Sequence, residues 1–259
     1  MNVLLVLTVV LIALMILIFR RSSVYMITGT FINFFLFVLL LFFLSRGFPV
    51  YLVTFAVFLG VTAVTLFYIN DVNPKTKAAF LCVILFLTVF SLVMVPAIQV
   101  FQVHGFALEE LEELQMLDFS VDVPFTALNT SIILMSFSGA IIDSSMAVSS
   151  STYELYRRGD KSSLPALMGS SMTVVHEILS STINTLLFAF MGSSLALIIW
   201  IQDLNYSFFD IINSKAFVGE LLISLLTGMA AVVILPVTSG VASYVFYHGT
   251  FENKNHQKR

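Results

Sequence analysis

Two stretches of this sequence place ionisable side chains in apolar surroundings. The first is "SGAIIDSSMAVSSSTYEL", Ser138 to Leu155, which carries Asp143 and Glu154. The second is "VHEILSSTIN", Val175 to Asn184, which carries His176, Glu177 and Asn184. Carboxyl, imidazole and amide groups inside a membrane are costly, and they mark proton relays and ion pathways. On a helix, Ser136, Gly139, Ala140, Asp143, Ala147, Ser150 and Glu154 step by three or four and share one face. That face is small and polar, while Ile132, Ile133, Ile141 and Ile142 lie largely elsewhere. Small residues let a second helix approach closely, and serine can hydrogen-bond across the gap. The expectation is a carboxyl held in a narrow seam between helices, where it can gain and lose a proton. The plain alternative is a structural carboxylate neutralised by a proton or by one partner. In the second stretch Glu177, Ser181 and Asn184 form one line and His176, Ser180 and Asn184 nearly another, so Asn184 stands between them. A packing histidine is the alternative there.

Catalytic chemistry fits these residues less well. "HEILS" begins like a zinc-protease motif, but Ser180 stands where the second histidine ligand is needed. "GAIID" lacks the G-x-G-D form of intramembrane aspartyl enzymes, and no second central carboxyl shares its proton. The serines occur in runs, at 149–151, 170–171, 180–181 and 193–194, which suits helix packing better than one activated nucleophile. No phosphate loop, cofactor box or metal-ligand set is visible. The expectation is a protein that is not an enzyme and uses no cofactor.

The elements that position these residues must be membrane helices. Of 259 residues 59% are apolar and only 10% charged, far from the balance of a soluble domain. Net charge is -3, with no long basic tract, which argues against nucleic acid as a partner. The single cysteine, Cys82, excludes an intrachain disulfide. Seven apolar runs reach the length of a bilayer core, at 2–19, 24–44, 49–69, 78–103, 126–156, 166–200 and 216–247. They are too long and continuous for barrel strands, so the fold class is all-α and polytopic. The first run lacks a basic leader and a small-residue cleavage site, and it reads as a retained span. The last two runs are too long for simple spans. Gly192, Ser193 and Ser194 in one and Pro236 in the other read as packing or hinge points where the helix bends or breaks.

Lysine and arginine give the orientation. With the amino terminus outside, ten of the twelve fall in inner segments: Arg20, Arg21, Lys75, Lys77, Arg157, Arg158, Lys161, Lys254, Lys258 and Arg259. Only Arg46 and Lys215 fall outside. That asymmetry supports seven spans and a cytoplasmic carboxyl terminus. The chain divides into four amino-terminal helices (1–104), an acidic outer segment (105–124), a three-helix core carrying Asp143 (125–248) and a basic tail (249–259). In the acidic segment Leu108, Leu111, Leu114 and Leu117 form a stripe, as in a short helix lying on the membrane surface. It reads as a connector, a cation-attracting vestibule or a docking site.

The blocks "SGAIIDSSMAVSSSTYEL", "VVHEILSSTINTLLFAFMGSSLAL" and "LLTGMAAVVILPVTSGVAS" resemble the YibE/F family of bacterial membrane proteins, over about residues 125–247. The resemblance implies a multi-pass plasma-membrane protein, usually assumed to be a permease. It also implies pairing with a second YibE/F-type protein that has an extracytoplasmic domain, or a homo-oligomer. More weakly, the order of Gly139, Asp143, a basic-glycine turn and the Leu-Pro at Pro236 is similar to the transmembrane half of RND transporters. There the intramembrane Asp carries protons, which implies Asp143 as the coupling site. The sequence departs from that pattern at Ser144, where a second acidic residue is common, and in having no large extracytoplasmic segment. The expected function is a subunit of a proton- or cation-coupled secondary transporter. The alternative is an assembly or scaffold subunit whose polar residues only hold helices together.

Overall fold

A computed structural model describes residues 3–20, 22–101, 125–159, 163–203 and 207–249. Among these the chain is helical throughout. Helix α1 spans Val3–Phe19, α2 Ser22–Ser45 and α3 Val50–Ala63, the last running into a π-helical turn at Val64–Ile69. Helix α4 spans Pro74–Phe101, α5 Phe125–Ser136, α6 Ser138–Arg158, α7 Leu164–Asp203, α8 Phe208–Asn213 and α9 Lys215–Tyr247. Six helical stretches are long and apolar enough to cross a membrane, and Leu5–Phe19 is a shorter apolar helix. The acidic segment 105–124 and the tail from 250 lie outside the described residues.

Local chemistry fixes the helix ends. In "NPKT" the Asn73 side chain accepts from the Thr76 amide and the Thr76 hydroxyl accepts from the Asn73 amide, both at 3.0 Å. These bonds satisfy orphan donors at the start of α4, and Pro74 fits the first helical position, where no donor is needed. Helix α6 ends with Arg157 and Arg158 in its last turn and Gly159 at φ 113°, a left-handed cap. The short helix α8 opens with a reciprocal Ser207–Asp210 cap. Hydrogen bonds from Ser207 hold the exposed Asp210 carboxyl below its usual range.

Three expectations about the spans change. The run 126–156 is two helices, since Phe137 interrupts it; the Phe137 ring is fully buried and packs edge-on against Phe90 at 4.9 Å. The last two spans are not broken: α7 runs through Gly192–Ser194, and α9 runs through Pro236. A mid-helix proline removes only one intrahelical bond, and neighbouring helices tolerate the freed carbonyl in membrane proteins.

The core lies where α3 with its π-helical turn, α4, α5, α6 and α9 meet. Phe58, Leu66, Val83, Leu87, Ile141 and Ile234 are among its buried residues. Helix α2 packs on the end of α3 through Gly29, where an added Cβ would lie 2.5 Å from Cγ1 of Ile69. Replacing Gly29 by valine is therefore expected to cost about 1–3 kcal/mol, from the strain of overpacking. Thermal unfolding in detergent checks this, with Gly139→Ala as the control. Gly139 has nothing within 4 Å of a built Cβ, so that change should leave stability the same or higher. The opposite ranking would contradict the packing described.

Candidate functional site

Helix α6 has two polar faces, and the bundle buries one of them. Ser144, Ser145, Ser149 and Thr152 point inward and are buried. Ser149 donates to the Lys75 carbonyl at 2.7 Å, tying α6 to the start of α4. Thr238 of α9 donates to Ser145 at 3.3 Å. The hydroxyls of Thr152 and Ser171 lie 2.7 Å apart, and Ser239 donates to Ser171 at 2.8 Å. Three hydroxyls, one each from α6, α7 and α9, thus meet at Ser171. Val148, Val175 and Leu235 pack one turn away around the same junction.

Hydroxyls suit such a place because a helix can satisfy them internally. Thr152 also donates to the Val148 carbonyl of its own helix at 2.7 Å. A carboxylate only accepts, and the interior of a helix offers it no free donor.

The other polar face is the one expected to line a seam, and within this chain it does not. Ser136, Gly139, Asp143, Ala147 and Glu154 are exposed on the outside of the bundle, with Ala140 and Ser150 half-buried. Around the α6 axis Asp143 stands about 140° from Val148, the residue that meets α7. Asp143 is at the middle of the candidate span Ser131–Arg158. A cation meets the line it belongs to: the Lys75 ammonium donates to Ser150 at 3.4 Å, about 10 Å along the helix from Asp143. Lys75 contributes to the sequence reading only as a topology marker, and its place beside this line was missed.

Helix α7 repeats the pattern. Leu167, Ser171 and Val175 are buried against α6 and α9. His176, Glu177 and Asn184 are exposed, together with Thr173, Ser180 and Ser181. No hydrogen bond or ion pair among the described residues joins Asp143 to His176, Glu177 or Asn184. The glycines expected at helix contacts lie on exposed positions of this chain. Gly139 and Gly192 both face open space, with nothing within 4 Å of a built Cβ, because each lies on an outward face. Ser194 is buried and its hydroxyl has no hydrogen-bond partner among the described residues, the Ser193 side chain lies outside the described set, and Pro236 is half-buried.

Among the described residues no group of three His, Cys, Asp or Glu side chains could hold a metal ion. In comparison with known proteins, the family described as YibE/F-like protein matches residues 7–248. No curated protein and no solved structure matches the chain.

Proposed function

This chain belongs to the YibE/F-like family, and from that premise we propose that it is a non-enzymatic subunit of a proton- or cation-coupled permease in the bacterial plasma membrane. Asp143 is its coupling carboxyl, and the seam around Asp143 is completed by another chain. The observation that carries this reading is the place of Asp143. It stands at the middle of the candidate span Ser131–Arg158, on a face of small residues left largely exposed among the described residues. An ionised carboxyl facing lipid at that depth would cost about 2.5–3.5 kcal/mol or more, which favours a protein or water-filled neighbour. A second YibE/F-type protein with an extracytoplasmic domain fits that need and would supply substrate handling. The RND-type likeness enters as an analogy for how such a carboxyl is used. Proton uptake by proteoliposomes, measured with and without the paired protein, tests the reading. Uptake that needs both chains supports it; no uptake with both present would end it.

A scaffold role is the second reading, and the outward direction of both ionisable faces favours it. It differs in predicting that loss of the Asp143 charge leaves function unchanged while bulk on the exposed faces disrupts assembly.

The reading includes seven spans, α1 being the first, with the amino terminus outside. Cysteine labelling checks this on a Cys82→Ser background, since Cys82 is the only native thiol and is buried. An impermeant maleimide should label Ser45→Cys on intact cells and Val72→Cys only after permeabilisation. The reverse pattern would invert the topology.

A further inference from the structure

We propose that the outward face of α7 is a self-association surface, on which a second copy of this chain docks in parallel about a two-fold axis. This goes beyond the transport reading and does not depend on it. Around the α7 axis Gly169, Thr173, Ser180 and Asn184 fall within about 60° of one another. All four are exposed, on the side of the helix away from Ser171 and Val175. Gly169 has nothing within 4 Å of a built Cβ, and Thr173 turns its hydroxyl back to the Gly169 carbonyl at 3.3 Å. The stripe is therefore shallow enough for a backbone to approach closely.

Small residues alone would not select an occupant; the flanking charges do. His176 and Glu177 stand about 50° to either side of the stripe centre. Both lie at the middle of the candidate span Leu164–Gly192. Neither has a hydrogen-bond or ion-pair partner among the described residues. Two copies inserted in the same direction and related by a two-fold axis along the membrane normal place the same stripe against itself. In that arrangement His176 of one copy faces Glu177 of the other, and the pairing occurs twice. The face is thus complementary to itself in charge, as an isologous interface requires. Asn184 and Ser180 near the axis supply donors and acceptors across the contact, and two mid-span ionisable groups leave the lipid together.

The test uses the full chain in liposomes at a high lipid-to-protein ratio, on the Cys82→Ser background. Oxidative cross-linking should trap Ser180→Cys and Thr173→Cys as dimers at least about tenfold faster than Leu92→Cys, an exposed position on α4. Glu177→Lys should lower the dimer fraction at fixed density, with the apparent Kd at least about tenfold weaker, roughly 1.4 kcal/mol. Exchanging the pair, as His176→Glu with Glu177→His, should restore it, because the two-fold places the same partners together again. A monodisperse size-exclusion profile for each variant shows that folding is intact. Equal cross-linking at Ser180 and Leu92, or no recovery in the exchanged variant, would overturn the proposal. Dimers that form only through other helices would overturn it too. Coupled flux can fail in any of these variants without bearing on the interface, so the two readings are tested separately.

Discussion

Coupled proton uptake is expected to fall to the level of empty liposomes when Asp143 becomes asparagine, with folding unaffected. The side chain keeps its size and its capacity to hydrogen-bond but can no longer lose a proton. Nothing in the described fold depends on that charge, because the carboxyl is on the outside of the bundle and joins no ion pair there. A surface substitution of that kind changes stability by about 0.5 kcal/mol or less in either direction. Insertion should not be hindered, since the substitution replaces a charge with a neutral amide. Glu154→Gln should have a much smaller effect, because Glu154 sits in the turn before Arg157 and Arg158 at the end of α6. Parallel measurements of uptake and of thermal unfolding separate loss of function from loss of fold. Normal uptake in Asp143→Asn would favour the scaffold reading.

The largest stability effect is expected at Ser171. Its hydroxyl joins Thr152 of α6 and Ser239 of α9, and it is 1% exposed. Leucine there adds bulk where three helices meet, which costs about 1–3 kcal/mol by overpacking. It also removes two interhelical hydrogen bonds, worth about 0.6 kcal/mol each in a membrane. Together these should lower the apparent Tm in detergent by about 5–15 °C for a chain of this size. Alanine at the same position loses only the hydrogen bonds and should shift Tm by a few degrees at most. If leucine were tolerated as well as alanine, the three-helix junction would not be the tight contact described. The same variant bears on function only through the fold, so any flux it loses should return when the protein is stabilised by cooling.

The sequence made most of the helices legible but not every break, since Phe137 divides the run 126–156 and Pro236 does not divide α9. Apolar runs of bilayer length and the arginine-glycine turn act through the local backbone, and α2, α3, α4 and the cap at Gly159 appear where those residues stand. Family membership was likewise visible in the blocks around Asp143, His176 and Pro236 and extends over residues 7–248. What was not legible is which face of α6 the bundle buries. In a soluble protein the apolar face goes inward, but in a membrane both faces of α6 are compatible with either side. The choice falls to satisfaction of polar groups. Ser145, Ser149 and Thr152 reach carbonyls and hydroxyls on neighbouring helices and so can be buried; Asp143 finds no donor there. Periodicity groups Asp143 with Gly139 and Ala147 correctly, yet it carries no sign for inward or outward. Pro236 misled for a related reason: its cost is local, and α9 is held on both sides by Leu235 and Thr238, both fully buried, so the helix continues.

The functional account follows from an outward carboxyl at the middle of a candidate span, and the protonation proposed for it can be probed directly. Dicyclohexylcarbodiimide enters the bilayer and adds to carboxyl groups that hold a proton, giving a stable acyl adduct of known mass. Membranes containing the chain with a second YibE/F-type protein as the proposed partner would be treated and digested, and the peptides analysed by mass spectrometry while uptake is followed in parallel. The account predicts that Asp143 is modified, and that uptake declines in step with the modified fraction. Modification of Asp143 with uptake unchanged, or loss of uptake with Asp143 unmodified, would contradict it.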